Sequence, residues 1–210
     1  MTAAIAFDPA DLSSRERYKI LIGAIVPRPI AWVSTVSPAG LPNLAPFSFF
    51  NGVCSDPMAV SIAVGRRQTG LKDTLRNIEA TGEFVINVVT EDLAEPMNRT
   101  SEEFPPEVDE FAVAGLTPLP GVKVAPPRVA ESPINLECRL LQVVYLGDRP
   151  GSGSLVVGEV VYGHIRADLV DSWRIDAAKL RPIGRLGGAF YTRAATDVFK
   201  LLRPAGSGDG

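Results

Sequence analysis

Alternation of bulky with small or polar side chains is the dominant pattern along this chain, and it predicts strands. Met58, Val60, Ile62 and Val64 alternate with Ala59, Ser61 and Ala63, so one strand face is bulky and the other nearly bare. Something is expected to pack closely on the bare face. Residues 83–89 set Phe84, Ile86 and Val88 against Val85, Asn87 and Val89, and residues 133–144 place Ile134, Leu136, Cys138 and Leu140 on an inward face. Residues 30–36, rich in β-branched and aromatic side chains, and residues 155–165 read as further strands. Leu71, Leu75 and Ile78 recur at helical spacing until Gly82 stops the helix, and shorter helices are predicted over residues 8–17 and 90–98. A mainly β chain with a few peripheral helices results.

Turn chemistry organises the first strand. Ser37-Pro38-Ala39-Gly40 suits a type I turn, with proline second and glycine fourth, so residues 30–36 should return as a hairpin. The returning segment carries Pro42 and Pro46, which cannot donate to a sheet ladder and therefore belong at an edge or bulge. Ser34, Thr35 and Ser48, with free amides among Phe47, Phe49 and Phe50, could hydrogen-bond and sandwich a flat polar ring. An ordinary hairpin with core phenylalanines fits the same residues.

Residues 65–70 and the start of the following helix gather Arg66, Arg67, Thr69, Lys72, Asp73 and Thr74. Hydroxyls, cations and a helix start suit a phosphate, although a solvated loop and a capped helix would use the same residue types. Residues 101–132 have no periodicity and many prolines, and their length predicts a lid or an arm reaching a second subunit. His164, the only histidine, sits near a strand end, where either a structural or a catalytic role is open to it.

Composition narrows the function classes. A net charge of -3 and a pI near 5.3 leave no basic stripe for nucleic acid, and no apolar run is long enough to span a bilayer. Residues 1–10 hold no basic region followed by an apolar run, so a reducing cytoplasm is the expected location. Cys54 and Cys138 are too few for a disulfide framework and lack zinc-ligand spacing, so no metal is expected. Gly151-x-Gly153 precedes a strand instead of following one, with Val156 where a third glycine belongs, which excludes a Rossmann fingerprint.

Several of these segments together resemble a known family. Residues 29–36, Asn43-Leu44-Ala45-Pro46-Phe47-Ser48, Lys72-Asp73-Thr74 with Asn77-Ile78, Glu83 to Asn87, Gly158-Glu159-Val160 with His164, and Arg185-Leu186-Gly187-Gly188 with Tyr191 resemble the flavin reductase-like, FMN-binding split-barrel proteins, which include the flavoredoxins. The likeness spans about residues 20–195. It implies a six-stranded antiparallel Greek-key split barrel over residues 27–203, preceded by an N-terminal arm and followed by a flexible tail at 204–210. It also implies a homodimer with FMN at the subunit interface.

By that resemblance, Ser34 and Thr35 would contact FMN, together with Asn43, Ala45, Pro46, Phe47, Ser48, Phe49 and Asn51. Arg66, Thr69, Lys72, Asp73 and Thr74 would form the phosphate corner, and Arg185 with Tyr191 would cover the ring. His164 would be the catalytic contact to the nicotinamide. The implied activity is NAD(P)H-dependent reduction of flavin, with a monooxygenase or other electron acceptor as partner. A flavoredoxin-type carrier and a non-catalytic FMN-binding protein are the alternatives.

Overall fold

A computed structural model describes residues 2–202; the tail expected at 204–210 lies outside the described residues. The elements are α1 (Ser14–Ala24), β1 (Ala31–Val36), β2 (Pro42–Phe47), β3 (Phe50–Ser55), β4 (Met58–Gly65), α2 (Asp73–Thr81), β5 (Glu83–Val88), α3 (Ala94–Arg99) and α4 (Glu110–Ala114). After them come β6 (Pro118–Leu119), β7 (Arg128–Val129), β8 (Ile134–Tyr145), β9 (Gly153–Ile165), β10 (Val170–Asp171), β11 (Arg174–Ile175), α5 (Ala177–Leu180), β12 (Ile183–Arg185) and β13 (Tyr191–Arg193).

Seven strands form one antiparallel sheet in the order β2-β1-β5-β8-β9-β4-β3. β2 and β3 are consecutive in the chain yet lie at opposite ends of that order. Only Ser48 and Phe49 separate them, so the sheet must curl until its ends approach, which makes it a split barrel. The six strands expected become seven because the returning segment breaks at Ser48-Phe49 and crosses to β4, where Ala63 N donates to Phe49 O at 2.8 Å. The hairpin between β1 and β2 closes as its sequence requires: Gly40 N donates to Ser37 O at 2.8 Å, and Gly40 has a φ of 83°.

Inside the curl, Val33, Phe47, Val60, Ile62, Val64, Phe84, Ile86 and Val156 pack together, and α2 adds Leu75 and Ile78. Cys138 lies in the same core, and burial pushes its thiol pKa up, so it is an inert packing group. Gly158 on β9 lies against the Phe84 ring, where any Cβ would collide with it. The opposite face of β1 and β2 is also buried, because Trp32 and Leu44 pack against Met97, Phe111, Leu116 and Val129.

That second core corrects the reading of residues 101–132. Far from reaching outward, residues 109–132 fold onto their own barrel, with Val129 N donating to Asn87 Oδ1 at 2.8 Å. Their apolar anchors are Phe111 and Ala114 on the five-residue α4, then Leu116 just after it and Val129 on the two-residue β7, too few in any one element for a period to be read. The N-terminal helix also lies later than expected. Ser13 and Glu16 form a capping box that starts α1 at Ser14 and carries the apolar residues 20–22 into it, leaving only a 3-10 turn at Pro9–Asp11. No helix among the described residues is long and apolar enough to cross a membrane.

Candidate functional site

Two adjoining depressions run along the free edge of β2. The first is lined by Asn43, Ala45, Pro46, Arg67, Lys72, Asp73 and Thr74; the second, of about 210 Å³, by Arg28, Pro46, Ser48, Arg185, Gly188 and Tyr191. Pro46 and Ser101 border both, so the two form one trough.

The first end is built on the start of α2, where Lys72 occupies the N-cap position and no side chain caps the helix. The Lys72 ammonium lies 5.4 Å from the Phe47 ring, and burial, reinforced by nearby Arg67 and opposed by Glu103, lowers its pKa. Arg67 Nε is buried and without an aligned hydrogen-bond acceptor, although a Glu103 carboxylate oxygen lies 3.0 Å away. Proximity without alignment is a Coulombic contact only, and Glu103 itself is largely exposed. The Asp73 carboxylate is engaged by Arg76, which limits its repulsion of an incoming anion.

Asn43 is fixed from two sides. Its amide nitrogen donates to Glu110 Oε1 at 2.7 Å, and its carbonyl accepts from Thr74 Oγ1 at 2.9 Å. Glu110, on α4, also accepts from Leu44 N at 3.1 Å. Burial raises its pKa, against the opposing pull of those hydrogen bonds.

At the other end, the backbones of Arg28 and Arg185 pair with each other, at 3.0 and 2.8 Å, which brings their guanidinium groups to one place. Arg185 lies over the Tyr191 ring at 4.4 Å and donates to the Tyr191 hydroxyl. Arg28 is only 4% exposed; its Nη1 donates to Ile22 O and Ile25 O at 2.6 Å each, and its Nη2 to Leu186 O at 2.9 Å.

Of the residues singled out in the sequence, Asn43, Ala45, Pro46, Ser48, Lys72, Asp73, Thr74, Arg185 and Tyr191 meet in this trough. Others do not. Ser34 and Thr35 are fully buried: Ser34 Oγ donates to Pro127 O, and Thr35 Oγ1 accepts from Asn77 Nδ2 at 3.0 Å. Their hydroxyls support the walls and face no ligand, because β1 is buried on both faces. Phe47 belongs to the core.

Arg66 points into a groove beneath α1 and Thr69 is exposed at the tip of the 67–70 turn, so of the two neighbouring arginines it is Arg67 that enters the trough. Phe49 and Asn51 line a separate shallow depression over Ser61 and Ala63, which touches the trough at Arg28 and Ser48. His164 lies elsewhere, lining another depression with Arg128, Asn135 and Arg166; its Nε2 is 2.7 Å from Oε1 of the fully buried Glu137. Within one chain it does not reach the trough. Sequence reasoning passed over Arg28 and Glu110, and of the arginine pair it singled out Arg66 where the trough takes Arg67; a cation between Pro27 and Pro29, beside a strand of the site, was the available signal for Arg28.

Comparison with known proteins places the chain. The family described as flavin reductase like domain matches residues 23–179. An uncharacterised protein of Halalkalibacterium halodurans is 43% identical over 94% of this chain and 95% of its own length. Among solved structures, nitrilotriacetate monooxygenase component B from Bacillus cereus superposes with a TM-score of 0.92 at 36% identity, covering 96% of this chain and 100% of that one. The 2-nitrobenzoate 2-nitroreductase of Pseudomonas fluorescens does so with a TM-score of 0.86 at 32% identity, covering 98% and 99%. With the split barrel and the β2 trough already established, the match over three quarters of its length makes this chain a member of the flavin reductase-like family.

Proposed function

We propose that the trough binds FMN and that the protein reduces it with NADH or NADPH. The observation that carries this reading is the pairing of an uncapped, doubly cationic helix start with a wider depression further along the same strand edge. The residues fit a phosphate-bearing flavin: Arg67 Nε is a buried donor awaiting an acceptor, and Lys72 offers a second cation. Arg67, Lys72 and the first amides of α2 would hold the phosphate, and Asn43, Ser48 and the backbone of residues 48 and 49, where the strand breaks, would orient the ring. Arg185 and Tyr191 would cover it and exclude water. The chemistry that the flavin supplies when bound is acceptance of a hydride and onward delivery of its electrons. Likeness to a monooxygenase component B favours an oxygenase or another electron acceptor as the recipient.

The test is titration of the purified protein with FMN, followed by oxidation of NADH and NADPH with and without added flavin. Saturable FMN binding with turnover supports the reading, and absence of binding rejects it. A yellow protein inert toward both nucleotides would be an electron carrier.

The same reading includes a dimer. α1 and its C-cap leave Tyr18, Leu21 and Ile25 exposed over a groove of about 950 Å³ also lined by Phe7, Phe49 and Pro150. These apolar side chains lie side by side around one groove, and a second copy is the occupant we propose. Light scattering should therefore give about twice the 22.4 kDa chain mass. A monomeric mass with FMN bound would remove the interface from the site.

A further inference from the structure

We infer that Arg28 supplies the positive charge that makes the trough hold the reduced, anionic flavin ring more tightly than the oxidised one. The inference rests on the flavin reading above and assigns its redox bias to one side chain.

The case begins with what surrounds the guanidinium. Arg28 is 4% exposed, and its hydrogen-bond acceptors are three backbone carbonyls and, at 3.4 Å, the Ser48 hydroxyl. None of them carries a formal charge, and the Phe49 ring, 5.9 Å from the guanidinium carbon, offers only its quadrupole. Among the described residues no carboxylate lies within ion-pair distance of Arg28, nor of Arg185, whose backbone is bonded to it. Arg185 is likewise held by neutral oxygens, those of Tyr191 and Gly188. Two of the Arg28 acceptors, the carbonyls of Ile22 and Ile25, lie at the C-terminal end of α1, whose dipole offers only about half a negative charge. An uncompensated cation therefore remains in the wall of the depression that also holds Ser48 and Tyr191.

Charge is not needed to tie carbonyls together, since neutral donors would do so without the desolvation cost of a buried ion. An uncompensated cation has one clear use here, which is to favour an anion that forms beside it. The oxidised isoalloxazine ring is neutral and the reduced ring readily becomes an anion, so a fixed cation acts on the difference between them. A full charge felt across a partly polar medium changes such a preference about tenfold or more.

The experiment measures dissociation constants of oxidised and dithionite-reduced FMN, under anaerobic conditions, for the wild type, Arg28→Gln and Arg28→Lys. Arg28→Gln keeps a donor and loses the charge; its ratio of reduced to oxidised dissociation constant should rise about tenfold, equivalent to a potential about 30 mV lower for a two-electron couple. Arg28→Lys keeps the charge and loses the fork, so its ratio should stay within about threefold of the wild type even if its melting temperature falls. A ratio unchanged in Arg28→Gln, or raised as far in Arg28→Lys, overturns the inference. Should Arg28→Gln fail to fold, the Arg28→Lys ratio decides alone: retention supports the charge, and a tenfold rise refutes it. A wild type that takes up no FMN overturns the flavin reading itself, and this inference with it.

Discussion

Exchanging both Arg67 and Lys72 for alanine should weaken FMN binding about a hundredfold or more, while Arg66→Ala should leave it nearly unchanged. Each lost charge-assisted hydrogen bond to a phosphate is worth roughly 1.5 to 3 kcal/mol, or tenfold to a hundredfold in affinity. The contrast between neighbours follows from the strand end. Arg66 pairs through its backbone with Ser152 and sends its side chain beneath α1, whereas Arg67 turns into the trough. Fluorescence titration of Arg66→Ala, Arg67→Ala and the double variant checks this, and equal losses for Arg66→Ala and Arg67→Ala would misplace the phosphate. The pH dependence has a sign as well. Only protonated Lys72 attracts phosphate, and its pKa lies below the ordinary lysine value, chiefly through burial. Affinity should therefore fall as pH rises through that lowered value, earlier than for an exposed lysine.

Glu137→Ala should be the most damaging single substitution for stability. Its carboxylate is fully buried and accepts from Val122 N at 2.8 Å, Lys123 N at 2.6 Å and the His164 ring at 2.7 Å. Removing it strands three donors, at a cost of about 3 to 5 kcal/mol, or roughly 6 to 20 °C in melting temperature for a chain of this size. Burial alone would raise the Glu137 pKa, but the bonds from His164, Val122 and Lys123 outweigh it and leave the value lowered. A carboxyl whose folded-state pKa is lowered contributes stability that is fully present above its unfolded value, about 4.3, and lost as pH falls through the folded value. Acid unfolding of the wild type should thus steepen below about pH 4, and Glu137→Ala should lack that component. His164→Ala removes one of the three donors, so it should cost less and leave FMN affinity unchanged. A larger effect on FMN than on melting temperature would return the histidine to the flavin site.

What could be read from the sequence was whatever depends on local period and turn chemistry. The Ser37 to Gly40 turn, the alternation along β4, the Gly82 stop and the inward Cys138 all stand in the structure as their neighbours in sequence require. Parity across an irregular turn was not legible: nothing local says which of Arg66 and Arg67 turns inward after β4 ends. Ser34 and Thr35 misled because alternation distinguishes two faces but not whether both are covered, and here the Trp32 side is roofed by residues from α3, α4 and β7. Glu137 and Glu110 left no signal, since their partners lie 14 to 67 residues away. Nine of the expected trough residues do converge, because prolines leave the outer edge of β2 without ladder donors and the Thr74 hydroxyl ties the start of α2 to Asn43.

The edge formed by β2 also limits how this protein can associate. Leu44 N points away from β1, so Pro42 and Pro46, two residues to either side, face the same way along the free side of the strand. The prolines have no N–H, and the amide of Leu44 is taken by Glu110. A neighbouring chain approaching this side meets carbonyls and not one available donor, so it cannot complete a ladder. Strand-on-strand growth, the route by which open sheets polymerise into cross-β fibres, is closed at this end of the sheet by two ring nitrogens and one carboxylate.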